Sequence, residues 1–119
     1  MPGFALEQRE LDAGYCEISV KGELDLAVAD RLDAAIGEVD QGYAGLVIGL
    51  GECEFIDSTG IAVIIRASQR FAAEGRRLVV CCPADQVERI LDITGLSDDG
   101  LVYESLDDAV AALKSALGK

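Results

Sequence analysis

Two stretches near the start of the chain alternate hydrophobic and polar residues, Phe4–Leu11 and Tyr15–Lys21. A period of two is typical of a half-buried β-strand, because successive side chains of a strand point to opposite faces of its sheet. Asp12-Ala13-Gly14 supplies residues between them that favour a turn. The pattern therefore predicts an antiparallel hairpin at the start of the fold.

After the hairpin, short apolar runs alternate with longer segments in which apolar residues recur every three or four positions. Gly45–Leu50 and Arg76–Cys82 are apolar over most of their length, which suits strands that are covered on both faces. Leu101–Tyr103 predicts a last, shorter strand. The periodic segments predict four amphipathic helices. The first helix runs from Asp25, which can cap it, to Gln41-Gly42, and the second from Asp57 to Gly75. The third runs from Pro83-Ala84-Asp85 to Gly95, and the last from its cap Ser105 to Leu117.

Two polar segments beside these elements are interpreted as connections. Gly22-Glu23-Leu24-Asp25 is predicted to be a loop that leads into the first helix, and Gly51-Glu52-Cys53-Glu54 a connector that leads into the second. The order of elements is then β-β-α-β-α-β-α-β-α, which predicts parallel strands joined by right-handed crossovers. We expect one α/β domain over residues 1–119, with a mixed, mostly parallel sheet of about five strands, an N-terminal antiparallel hairpin and four helices.

The start of the second helix is the stretch with the clearest chemical character. Asp57 is a favourable N-cap, since its carboxylate can accept hydrogen bonds from the free N–H groups of the first turn. Ser58 then falls at the first helical position, where a phosphate group would meet N–H donors and the positive end of the helix dipole. The helix is expected to bury one face. That face is predicted to consist of Ile61, Ile64, Ile65, Ser68, Phe71 and Ala72.

Charge narrows the choice of partner. The 119 residues include 10 Lys and Arg against 22 Asp and Glu, a formal net charge of −12. Such a chain repels nucleic acid and anionic membrane surfaces, so a basic protein surface is the more natural partner. Residues 1–11 hold no long apolar run, and the run Ile61–Ile65 stops at Arg66, far short of the roughly 20 apolar residues of a membrane span. The expected location is the cytoplasm.

Several kinds of catalytic and cofactor site are missing from the sequence. There is no histidine, so a Ser-His-Asp hydrolase cannot be assembled around Ser58. Gly49-Leu50-Gly51 is followed by Glu54 where a dinucleotide-binding loop would have its third glycine, and no Walker-type phosphate loop occurs. No pair of carboxylates has a spacing specific enough for acid–base catalysis. We expect no cofactor.

The four cysteines, Cys16, Cys53, Cys81 and Cys82, are interpreted as small buried residues in a reducing compartment. None forms a C-x-x-C pair and there is no histidine, so no metal site is expected. Cys81 and Cys82 are neighbours on a predicted strand. They are therefore expected to point to opposite faces and to pair with each other only under strain.

Four short motifs follow one another along the chain: Gly22-Glu23-Leu24-Asp25, Val47-Ile48-Gly49-Leu50, Phe55-Ile56-Asp57-Ser58-Thr59-Gly60 and Ile93-Thr94-Gly95-Leu96. In this order they resemble the bacterial anti-sigma factor antagonists, which are single STAS domains. The resemblance extends from the first predicted strand to about Tyr103, and the third motif is its most specific part. Many relatives have Asp-Leu-Ser or similar residues where this chain has Gly49-Leu50-Gly51-Glu52, a departure that bears on partner choice.

The resemblance implies a regulator rather than an enzyme. Members of the family bind an anti-sigma factor that is also a serine kinase, and this binding frees a sigma factor to direct transcription. The kinase transfers phosphate from ATP to the serine that corresponds to Ser58, the phosphorylated form releases the kinase, and a metal-dependent serine phosphatase resets the cycle. The residues that the resemblance assigns to partner binding are Glu23, Asp25, Asp57, Ser58, Thr59, Gly60 and Ile61.

The residues leave other interpretations open. Asp25 is a helix cap as well as a candidate neighbour of the phosphorylation site, Gly60 permits either close helix–sheet packing or the close approach of a partner, and Ile61 suits the core better than an interface. A second function is a STAS subunit of another assembly, such as a stress-signalling scaffold or a lipid-transport complex, without the phosphate cycle. A third is a small thiol enzyme that uses Cys81 or Cys82, which the absent histidine and the predicted burial of both cysteines disfavour.

Overall fold

The computed structural model describes residues 3–11, 14–39, 42–95 and 101–117. Over these residues five strands form one sheet, and their order across the sheet is their order in the chain. The first two strands are antiparallel and the others pair in parallel, so the predicted mixed sheet with an N-terminal hairpin is confirmed. The strands are β1 (Ala5–Glu10), β2 (Tyr15–Leu24), β3 (Gly45–Ile56), β4 (Arg77–Cys81) and β5 (Val102–Tyr103).

In the described part of the chain four helices cover the sheet, three of them on one face. They are α1 (Ala29–Gly37), α2 (Ser58–Ala73), α3 (Asp85–Ile93) and α4 (Leu106–Leu117). Right-handed crossovers that advance in one direction place every connecting helix on the same side of the sheet. The main core accordingly joins the strands to α1, α2 and α3, whereas α4 buries Ala109 and Leu113 against Val47 and Val79 on the opposite face. Within the described residues no helix is long and apolar enough to cross a membrane.

The two central strands are longer than the sequence suggests. Residues 22–24 belong to β2 and residues 51–56 belong to β3, so the prediction of a loop and of a connector at these places was wrong. The two segments pair with each other, through register shifts that end with Leu24 opposite Ile56. Each segment supplies hydrogen-bond partners for the backbone of the other. Both can therefore form strand although neither contains a continuous apolar run.

The first helix is shorter than predicted at both ends. Asp25 is not its cap. The Asp25 carboxylate accepts a hydrogen bond from the amide of Ala27, and the Asp25 carbonyl accepts one from the amide of Ala29. Asp25 therefore belongs to a separate turn ahead of the helix. Val28 is the N-cap residue. The helix ends at Gly37 with Glu38 as its C-cap. The predicted end at Gln41-Gly42 was therefore wrong, and Gln41 itself lies outside the described residues, as do Asp12, Ala13 and Leu96.

The other helix ends agree with the sequence. Gly75 and Gly95 have φ angles of +75° and +81°, the left-handed conformation in which glycine commonly follows a helix. The Ser105 hydroxyl accepts from the amide of Asp108 at 3.0 Å, as a helix cap does. The buried face of α2 differs in part from the prediction, because Ala72 is exposed while Val63 and Ala67 are buried.

The end of β4 differs from the prediction in its backbone conformation. The strand stops at Cys81, and Cys82 has a φ of +61°, which is uncommon for a residue other than glycine. This left-handed turn brings the two sulfur atoms to 2.8 Å from each other, so the prediction that the side chains point to opposite faces was wrong. Cys16, Cys53 and Cys81 are buried as predicted, but Cys82 is only half-buried. All four are free thiols.

Candidate functional site

Asp57 lies between the end of β3 and the start of α2, in an extended conformation. Its Oδ1 accepts hydrogen bonds from the amide of Thr59 at 2.9 Å and from the amide of Gly60 at 3.2 Å. These are two of the N–H groups that the first turn of a helix leaves without an intrahelical partner. The predicted N-cap is therefore confirmed.

The same aspartate also joins α2 to the end of β2. Its Oδ2 accepts from the amide of Leu26 at 3.2 Å, and its own amide donates to the carbonyl of Leu24 at 3.1 Å. These hydrogen bonds hold the segment that contains Glu23 and Asp25 beside the start of α2, although both residues are more than thirty positions earlier in the sequence. Glu23 is exposed and Asp25 is half-buried. The structure thus brings the first and third sequence motifs together.

Hydrogen bonding keeps the Asp57 carboxylate ionised. The hydroxyl of Thr59 donates to it and is the main cause that lowers its pKa, with smaller contributions from the amides of Gly60, Thr59 and Leu26. Partial burial acts in the opposite direction and is outweighed. A lowered pKa means that the bonds favour the charged form. At neutral pH the site therefore carries a fixed negative charge directly beside Ser58.

The two neighbouring hydroxyl residues differ in exposure and in bonding. Ser58 is the first residue of α2 and its side chain is exposed. Within the described residues no hydrogen bond of its hydroxyl is found. Thr59 is half-buried, and its hydroxyl is bonded to Asp57. Only Ser58 therefore presents a hydroxyl to solvent at the positive end of a 16-residue helix.

The next two residues face the core. A Cβ atom on Gly60 would lie 2.7 Å from Cγ of Leu24 and 3.0 Å from Cγ1 of Ile56. Gly60 thus allows the first turn of α2 to sit directly on the ends of β2 and β3, which is the packing alternative that the sequence left open. Ile61 is 7% exposed, in keeping with the expectation that it suits the core better than an interface.

Exposed apolar side chains flank the helix start, and sequence reasoning missed them. Leu26 is 73% exposed and Phe55 is 43% exposed, although both are large hydrophobic residues. The hydrogen bond from its amide to Oδ2 of Asp57 holds Leu26 beside that residue, and Phe55 precedes Asp57 by two residues. The available signal for Leu26 was its position outside any helical period. Exposed apolar groups beside a charged site are typical of a protein-binding surface.

An acidic cleft adjoins this surface. It has a volume of about 340 Å³ and is lined by residues of the strand ends and of the turn that follows β2: Phe4, Gly22, Glu23, Asp25, Ala27, Val28 and Glu54. Three carboxylates on its wall suit a basic partner. Among the described residues no group of three or more His, Cys, Asp and Glu side chains is placed to hold a metal ion.

The sequence and the fold of this chain are similar to those of known STAS domains and anti-sigma factor antagonists. The model of the STAS domain family matches residues 6–109. The anti-sigma-B factor antagonist of Listeria monocytogenes is 35% identical over 96 residues, 79% of this chain and 83% of that protein. The crystal structure of an anti-sigma factor antagonist from Mycobacterium paratuberculosis has a TM-score of 0.84 at 28% identity, over 94% of this chain and 95% of that one. Unphosphorylated SpoIIAA, also an anti-sigma factor antagonist, has a TM-score of 0.76 at 18% identity, over 93% of this chain and 97% of that one, which confirms the fold class alone.

Proposed function

This chain belongs to the STAS domain family and, within it, to the anti-sigma factor antagonists, and from that membership we propose that its unphosphorylated form binds an anti-sigma factor that is a serine kinase. In the proposed cycle this binding frees a sigma factor in the cytoplasm. The kinase then phosphorylates Ser58, the phosphate ends the binding, and a metal-dependent serine phosphatase restores the first state. The proposed partner surface comprises Glu23, Asp25, Asp57, Ser58, Thr59, Gly60 and Ile61, together with the exposed Leu26 and Phe55.

The observation that carries the proposal is the free, exposed hydroxyl of Ser58 at the start of α2. A kinase requires a hydroxyl that can enter its active site without breaking the fold. Ser58 meets this requirement, whereas the hydroxyl of Thr59 would first have to leave Asp57. A phosphate on Ser58 also meets the positive end of the helix dipole, so the helix start tolerates it.

The effect of the phosphate is expected at the interface and not in the fold. It adds about −1.5 to −2 charge to a surface that already contains the ionised Asp57. The neighbouring Leu26 and Phe55 are exposed apolar groups that a bound partner would cover. Burying an unpaired charge among apolar groups is costly, so a partner that fits the unmodified surface is released by the phosphorylated one.

Gly60 and Ile61 contribute to this surface only indirectly. Both are buried: the absence of a side chain on Gly60 lets the first turn of α2 lie close to the sheet, and the side chain of Ile61 packs in the core. We therefore propose that they position Ser58 and Asp57 for the partner, and that the direct contacts come from the exposed residues.

The test begins with identifying the partner. The wild-type chain is used to isolate bound proteins from its own bacterium, and a bound protein with a kinase domain is then purified. Incubation with ATP followed by fragmentation mass spectrometry locates the phosphate. Incorporation should be abolished in Ser58→Ala and largely retained in Thr59→Ala. Phosphate on Thr59, or continued labelling of Ser58→Ala, would refute the assignment, and recovery of a membrane transporter in place of a kinase would refute the proposed cycle.

Binding of the purified kinase tests the switch itself. Ser58→Asp should weaken binding in calorimetry by about tenfold or more, which corresponds to about 1.4 kcal/mol. Gln69→Glu is the matched control, because it adds the same charge at an exposed position of the same helix, three turns away. The control should bind as the wild type does, and both variants should melt within a few degrees of it. Equal affinities for the two variants would contradict the switch.

A further inference from the structure

The sulfur atoms of Cys81 and Cys82 form a close pair at the end of β4. The thiol of Cys82 donates to the sulfur of Cys81 at 2.8 Å. The pair arises because β4 ends at Cys81 and the next residue has a φ of +61°. Two thiols in contact form a nucleophilic cluster that the proposed function does not use.

Two polar side chains of β2, Glu17 and Ser19, line the same cavity as the two cysteines. Ser19 on β2, Gly49 on β3 and Cys81 on β4 lie in register across the sheet. A Cβ on Gly49 would lie 2.8 Å from Oε2 of Glu17, so the missing side chain makes room for this buried carboxylate. The other carboxylate oxygen of Glu17 accepts from Nε of Arg9 at 2.6 Å.

These residues border a cavity of about 180 Å³, which is large enough for a small polar molecule. Its lining consists of Glu17, Ser19, Val20, Gly49, Gly51, Glu52, Cys81 and Cys82.

The two thiols differ in access. Cys81 is fully buried, and burial is the main cause that raises its pKa, with further increases from Cys82 and Glu17 and a small decrease from Arg9. Cys82 is only half-buried and lines the cavity. Cys82 is therefore the more accessible of the two thiols, and its sulfur lies 2.8 Å from the sulfur of Cys81.

We propose that Cys81 and Cys82 form a dithiol oxidation site that a small peroxide converts to a disulfide. With hydrogen peroxide, the sulfur of Cys82 attacks one oxygen and the O–O bond breaks. The departing hydroxide takes the Cys82 proton, so the products are a sulfenic acid on Cys82 and one water. The sulfur of Cys81 then attacks the sulfur of Cys82 and the S–O bond breaks. The departing hydroxide takes the Cys81 proton and becomes a second water. Two thiols lose two electrons and the peroxide gains them.

Proximity makes the internal reaction faster than its competitors. A second thiol held in contact has an effective concentration that no other protein molecule can match in solution. It therefore reacts with the sulfenic acid before more peroxide produces a sulfinic acid. Cys53 has no such arrangement, since it is fully buried and its thiol donates to the carbonyl of Phe55.

The wild-type protein provides the primary test, which needs no variant and no kinase partner and so stands apart from the proposed function. The native protein is treated with hydrogen peroxide, denatured, blocked with N-ethylmaleimide and digested with trypsin. Both cysteines fall in one peptide, residues 78–89. The peptide should appear unalkylated and about 2 Da lighter than the dithiol form, and dithiothreitol should restore both alkylation sites.

Variants assign the order of the two steps. Cys81→Ser should leave a sulfenic acid on Cys82 that dimedone traps, Cys82→Ser should leave Cys81 as an alkylatable thiol, and the control Cys53→Ser should form the disulfide as the wild type does. Three results in the wild type would each overturn the proposal: a sulfinic acid on Cys82 with Cys81 alkylated, a dimer linked through Cys82, or two alkylated thiols after treatment.

Discussion

Replacing Gly60 by alanine is expected to destabilise the protein, even though alanine is the better helix former. The new Cβ would lie 2.7 Å from Cγ of Leu24 and 3.0 Å from Cγ1 of Ile56. Leu24 is 0% exposed and Ile56 is 1% exposed, so neither side chain has free space to move into. The first turn of α2 would therefore have to move away from the sheet, and the cap bonds of Asp57 would move with it.

The size of the effect follows from two opposing contributions. Adding a methyl group to a well-packed site typically costs about 1–3 kcal/mol. Alanine in place of glycine returns at most about 1 kcal/mol in a helix, and less in the first turn. The expected loss is about 1–2 kcal/mol of unfolding free energy, which for a chain of this size lowers the melting temperature by roughly 4–8 °C.

A second glycine in a helix supplies the matched control. Gly37 ends α1, and a Cβ built on it meets nothing within 4 Å. Gly37→Ala is therefore expected to leave stability unchanged or raise it by up to about 1 kcal/mol. Urea unfolding of the wild type and both variants gives the comparison, provided that the denaturant dependence stays the same. If Gly60→Ala is as stable as Gly37→Ala, the close packing of α2 on the strand ends is refuted.

Three further measurements test other parts of the structure. Hydrogen bonds lower the pKa of Asp57 below its ordinary 3.8, so its contribution is complete above the unfolded-state pKa and is lost as the pH falls through the folded-state value. The stability difference between wild type and Asp57→Asn, followed from pH 7 to pH 2, should shrink only below about pH 4, and a constant difference would contradict this assignment. Arg9→Ala should cost more than Lys21→Ala in urea unfolding, because Arg9 pairs with the buried Glu17 while Lys21 pairs only with exposed carboxylates, and the reverse order would be evidence against a buried charge at Glu17. Maleimide should label the buried Cys53 of the untreated native protein far more slowly than it labels the denatured chain, and equal rates would show that its burial is wrong.

The start of α2 was predictable from the sequence because its determinants are local. The cap bonds of Asp57 reach only two and three residues along the chain. The exposure of Ser58 follows from its place at the first helical position, outside the apolar stripe. A sequence pattern contains such short-range information directly.

The features that the sequence did not predict depend on partners that are distant in the chain. Residues 51–56 form strand because residues 22–24 pair with them, and neither segment shows this on its own. The bonds of Asp57 to Leu24 and Leu26 likewise join positions about thirty residues apart. Periodicity reports only which face of an element is apolar. It places Leu26 outside any such face, but it cannot predict whether another element covers that side chain.

The consecutive order of the strands has a consequence for how the chain folds. Each strand pairs with the one immediately before it, so the separation between partners is as small as parallel pairing permits, and the sheet can grow strand by strand during synthesis. The opposite face is different, because Val47 and Val79 are covered by α4, which follows β5 in the chain. Until α4 docks, a nearly complete sheet presents an apolar surface to the cell. That interval is when the growing chain is most exposed to aggregation and most in need of chaperones.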